Sequence, residues 1–192
     1  MLRSSMSPRF WIVLAPLFAV PCLHAQDGPP LDSIRRLPPA AFPTLPAAVR
    51  RNLAMRHCTV PQPWDVTVPT NVIHGAFTTA RANEWVVLCS VRDTSRVLIY
   101  RIAASGSARL VDSLLSAADG GWVQGIGGSR RGYSRLLQTR PLRKIRAWRR
   151  DADGQAIPQP IDHDAIEQIF SGKSGEAFYY VAGRLYRQIT AD

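Results

Sequence analysis

EWVVLCSVRDTSRVLIYRI, residues 84–102, reads as two β-strands joined by a tight turn. In the first arm Trp85, Val87, Cys89 and Val91 alternate with Val86, Leu88 and Ser90. Apolar side chains on both faces predict an inner strand, covered on each side. Asp93 to Ser95 supply turn chemistry, and the run from Arg96 to Ile102 returns as the hairpin partner. Gly106-Ser107 then turns the chain into ARLVDSLL. Three consecutive strands with short connections predict an antiparallel meander.

Outward from this centre the same logic extends the sheet. After a turn at Asp119-Gly120-Gly121, WVQGIG and the basic region follow, with Leu136, Leu142, Ile145 and Trp148 expected as the inward residues of strands whose outer face is arginine. EAFYYV and RLYRQI flank Ala182-Gly183, a hairpin signal. Upstream, Thr44 is a candidate helix cap with Pro46 in the first turn. Val49, Leu53 and Ala54 share one face while Arg50, Arg51 and Arg56 take the other. This short helix should end near His57, before Pro61 and Pro63. A second helix is expected over residues 162–170, capped by Asp162 and turning Ile166, Ile169 and Phe170 inward. The expected class is α+β: an antiparallel β meander with a short N-terminal helix and one helix before a C-terminal hairpin, in a single domain over residues 47–192.

The first residues carry a different pattern. Arg3 and Arg9 precede an apolar run over residues 10–20, and Ala25 offers a small residue for cleavage. Residues 1–25 are therefore expected to be a signal peptide, and the apolar run falls short of the roughly 20 residues that a membrane span requires. The mature chain is expected to be periplasmic or secreted, without a transmembrane segment. Residues 26–46, with prolines at 29, 30, 38, 39, 43 and 46, are expected to form a tether that contributes little core. Removing the leader leaves Cys58 and Cys89 of three cysteines. In an oxidising compartment they are expected to pair, closing a loop of about 30 residues for roughly 3–4 kcal/mol. Two separate buried thiols are the alternative.

Charge is the most pronounced local feature. The chain carries a formal +10. Arg130, Arg131, Arg135, Arg140, Arg143, Lys144, Arg146, Arg149 and Arg150 follow one another without a carboxylate between them, interleaved with Tyr133 and Trp148. Guanidinium forks spaced in this way suit phosphate, sulfate or carboxylate polymers. Arg131, Arg135, Arg140, Arg143, Arg146 and Arg150 are the candidate anion-binding residues. Lipopolysaccharide, anionic wall polymers and extracellular nucleic acid are the polyanions such a protein would meet. The plainer reading is a solvated basic face that keeps the protein soluble.

Three further motifs compete for chemistry. Gly172-Lys173-Ser174 ends like a phosphate loop, but the position that should hold its first glycine is Glu167, and no nucleotide is expected. His163 and Glu167 lie four apart, beside Asp162 and Asp164, and form the alternative metal or enzyme centre. Against it, the carboxylates would simply complement a helix N-terminus. Asp151-x-Asp153-Gly154 resembles the start of a calcium loop, yet Gln155, Ala156 and Ile157 follow, so a turn is expected. Neither a Gly-x-Ser-x-Gly elbow nor any cofactor motif is present.

NVIHGAFTTARANEWVVLCS, with Gly75-x-Phe77 ahead of the strand from Glu84 to Leu88, resembles one unit of the FG-GAP or VCBS repeats of extracellular β-propellers. Those units carry a calcium loop of aspartates. The intervening TTARAN has no carboxylate, so the resemblance implies the local fold and no calcium site. The whole chain also resembles a group of exported bacterial proteins sharing the Cys58-x-x-Pro61-Gln62 step, the strand from Trp85 to Ser90, Asp162-His163-Asp164 and the Gly183 hairpin. That likeness implies an exported domain and transfers no functional residue. The expected function is non-catalytic binding or a structural role, with polyanions as possible ligands. The alternative is a metal-dependent enzyme centred on His163 and Glu167.

Overall fold

The computed structural model describes residues 34–190; the expected signal peptide and the first part of the proline-rich segment lie outside the described residues. Two antiparallel four-stranded sheets form the body. The first runs β3 (Val72–Gly75), β4 (Glu84–Val91), β5 (Thr94–Ile102) and β6 (Ala108–Ala118), in that order. The second runs β9 (Arg135–Arg140), β10 (Ala165–Phe170), β11 (Gly175–Val181) and β12 (Arg184–Thr190), again in chain order. Two small ribbons flank them: β1 (Arg36–Leu37) with β2 (Val60–Pro61), and β7 (Val123–Gly125) with β8 (Arg131–Tyr133). Two short helices, α1 (Ala47–Met55) and α2 (Leu142–Ile145), complete a β-rich α+β fold.

The central stretch does what its two apolar faces require. Val86, Leu88, Val97 and Ile99 turn toward the second sheet, where they meet Leu137, Ile166 and Tyr180 around Phe77. Val87, Cys89, Leu98 and Tyr100 turn the other way and receive Val49 and Leu53 of α1. The second sheet uses its outer face similarly, packing Ala165, Ala177 and Tyr179 against Ile145, Ile157 and Ile161. The layers are thus α1, sheet, sheet, α2. Asn71 ties the sheets at one edge, accepting from the Leu137 amide at 2.8 Å and donating to the Arg135 carbonyl at 3.0 Å.

Turn chemistry sets the hairpins. Arg92-Asp93 and Ala182-Gly183 both hold positive φ at both central positions, the geometry whose twist suits a two-residue hairpin. Cys58 and Cys89 sit at disulfide distance, with Cα atoms 5.4 Å apart, and this pair connects the exit of α1 to β4. Among the described residues no helix is long and apolar enough to cross a membrane.

Four expectations need correction. Residues 165–170 form strand β10, not a helix. Ile166, Ile169 and Phe170 mimic a helical stripe only because the polar Glu167 and Gln168 are also buried in the sheet, which hides the alternation. The helix that precedes the C-terminal hairpin is α2 instead, in the stretch expected to be outer-face strand. Thr44 does not cap α1, which begins behind Pro46 with no side-chain cap. From Ile34 onward the proline-rich segment is part of the domain: Ile34, Phe42 and Leu45 are core residues, because extended and 3-10 turns present them inward despite the prolines.

Candidate functional site

The basic stretch divides into three environments. Arg135 points into the interior and is fully buried. Its Nε donates to Gln168 Oε1 at 2.8 Å, Nη1 to Ser95 Oγ at 2.6 Å and Nη2 to the Leu115 carbonyl at 2.6 Å, while the group stacks over Trp122 at 4.9 Å. Burial holds its pKa below the ordinary value. Arg135 therefore bridges the sheets and leaves the candidate anion-binding set. Arg140 is partly buried and donates to Glu167 Oε1 at 3.2 Å. Arg131 is exposed on the separate β7–β8 ribbon.

The remaining cations stand together. Ile145 anchors α2 in the core and Trp148 packs partly behind it, while Arg143, Lys144, Arg146, Arg149 and Arg150 are all exposed. Among the described residues no acidic side chain forms an ion pair with any of these five. Arg149 and Arg150 are steered by neutral oxygens of Trp148, Gln159 and Gly154. The result is a one-sided cationic knob. Its start is fixed by Asp164, whose Oδ1 accepts from the Leu142 amide at 2.8 Å.

His163 and Glu167 are not brought together. Glu167 accepts from Gln138 at 2.7 Å and from Arg140, so its carboxylate is already satisfied. In extended chain four residues span roughly 13 Å, too far for two ligands of one ion. Among the described residues no group of three or more His, Cys, Asp or Glu forms a metal cluster. Gly172-Lys173-Ser174 lies in the turn joining β10 to β11, with Gly172 at φ +74, rather than at the end of a helix as expected. A phosphate loop joins a strand to a helix, which this turn does not. Asp151 builds the expected turn, accepting from the amides of Asp153 and Gln155 at 3.0 and 2.7 Å.

His163 instead borders a cleft between the two sheets. One cavity, about 160 Å³, is lined by Thr79, Pro160, Asp162, His163, Tyr179 and Tyr180, among others. A second, about 260 Å³, shares Thr78, Thr79 and Tyr180 with it and adds Arg101 and Asp112. Asp162 Oδ1 lies 2.6 Å from His163 Nδ1, and the ring stacks on Tyr179 at 4.3 Å. Its Nε2 is buried without a partner among the described residues. A buried polar atom left so costs on the order of 1–3 kcal/mol. Behind Thr78 and Arg101, Glu84 is fully buried and accepts from the amides of Phe77 and Thr78, both at 2.9 Å, and from Arg101 at 2.8 Å. Tyr180 donates to Asp112 at 2.5 Å, and burial, reinforced by that carboxylate, raises the Tyr180 pKa.

Sequence reasoning found His163 and Asp162 but not Thr79, Arg101, Asp112 or Tyr180, which come from four separate segments. No local spacing links them. A further groove, about 370 Å³, lies outside both regions, between the end of α1 and the first sheet, lined by Arg56 and Arg96 together with Cys89, Val91 and Leu98. No family model, curated protein or solved structure matches the chain significantly.

Proposed function

We propose that this protein is an exported, non-catalytic domain that binds polyanions through the α2 knob. The observation that carries the reading is five exposed, carboxylate-free cations on a segment only eight residues long, anchored from behind by Ile145. Such a surface keeps its charge available: among the described residues none of it is spent on ion pairs, and an anionic polymer gains several contacts at once. Arg143, Arg146 and Arg150 remain the central residues, joined by Lys144 and Arg149. Arg131 is exposed on the separate β7–β8 ribbon and stands outside the knob. A Cys58–Cys89 disulfide supports an oxidising location, where lipopolysaccharide, anionic wall polymers and extracellular nucleic acid are the candidate partners.

The test is retention on heparin and polyphosphate columns against a salt gradient. Changing Arg143, Arg146 and Arg150 together to Ser should lower the eluting salt clearly, with the melting temperature nearly unchanged because all three side chains are exposed. Equal elution of the two proteins would rule the reading out.

A further inference from the structure

The inter-sheet cleft carries a second, separate site. Its groups are unlike the knob's: they are mixed donors and acceptors, and the one cation, Arg101, is matched by Glu84. The His163 side chain is 3% exposed, its Nδ1 faces Asp162 at 2.6 Å with the Tyr179 hydroxyl at 3.3 Å, and Nε2 has no partner among the described residues. In the tautomer whose Nδ1–H donates to the Asp162 carboxylate, Nε2 is the ring's lone-pair acceptor. Two further acceptors, the carboxylates of Asp162 and Asp112, border the cleft. The donors are the Thr79 hydroxyl and Arg101 Nη1, neither of which has a partner among the described residues. Tyr180 lines both cavities and supplies an aromatic wall.

A ligand matching this set has several hydroxyls, which both donate and accept, and carries no net charge, since Asp112 and Asp162 oppose an anion and Arg101 beside them opposes a cation. Cavities of about 260 and about 160 Å³ that share three lining residues lie together in the size range of small-ligand sites, roughly 300–1,000 Å³. We propose that the cleft binds an uncharged sugar ring, with His163 Nε2 accepting one of its hydroxyl protons. Thr79 and Arg101 bind the neighbouring oxygens. Asp162 is a positioning residue, holding the imidazole so that Nε2 remains the accepting atom.

Saturation-transfer NMR with glucose, galactose and N-acetylglucosamine at millimolar concentration tests this. Transfer to at least one sugar is expected, with affinity about tenfold weaker in Thr79→Val and in His163→Phe, each losing one hydrogen bond to the ligand. Thr79 is exposed, so its variant keeps the native melting temperature even where His163→Phe does not. Retention on the heparin column should be unchanged in both, which separates this site from the knob. Absence of transfer to all three sugars, or undiminished transfer in both variants, overturns the proposal.

Discussion

Arg135 and Arg143 lie eight positions apart in one basic run, yet a sheet interior receives the first and solvent the second. The difference follows from strand alternation: Arg135 stands on β9 facing Ser95, Leu115 and Gln168, which offer neutral oxygens in three directions. Replacing it with Leu strands those acceptors and should lower stability by about 2–4 kcal/mol in denaturant unfolding, without weakening heparin retention. An effect below about 0.5 kcal/mol would show the bridge to be dispensable. Gly75 is a second residue placed by packing. Gly75 precedes Phe77 because the ring folds back over it: a Cβ at position 75 would lie 2.9 Å from Phe77 Cζ. The Gly-x-Phe spacing that suggested a repeat unit thus has a packing reason inside this chain.

At the scale of elements, α1 is held at two places. Val49 and Leu53 bury its apolar face, and the Cys58–Cys89 pair fastens its exit to β4 across a sequence separation of 31. Changing both cysteines to Ser should cost about 2–4 kcal/mol, read as a lower denaturant midpoint, and reduction of the native protein should produce a similar loss. Unchanged unfolding on reduction would mean that the thiols are not bonded. α1 and the hairpins β4–β5 and β11–β12 were legible because local periodicity and turn residues agreed with the tertiary environment. β10 was not: burial of Glu167 against Arg140 and Gln138, and of Gln168 against Arg135, removes the polar–apolar contrast by which a strand is normally read. α2 was equally hidden, since four residues are too few to establish a period.

For the molecule as a whole, buried tyrosines make alkaline pH the sensitive direction. Burial raises the pKa of Tyr100, Tyr133, Tyr179 and Tyr180 above the ordinary 10.0. In the unfolded chain these phenols ionise near that value, while in the native fold they keep their protons. The unfolded state therefore binds fewer protons above it, and stability falls as pH rises through and beyond 10.0. Arg135, held below its ordinary value by burial, acts with the opposite sign, as one group against four. Melting temperatures should be lower at about pH 11 than at about pH 8, and Tyr180→Phe should reduce the difference. Sequence alone determined the antiparallel meander, the Ala182-Gly183 hairpin and the concentration of positive charge, because each is written in neighbouring residues. Only the tertiary structure decided which arginines reach solvent, that His163 and Glu167 part company, and that Thr79, Arg101, Asp112 and Tyr180 meet at one cleft. Those outcomes depend on how two sheets stack, and the packing of one face on another leaves no period in either strand.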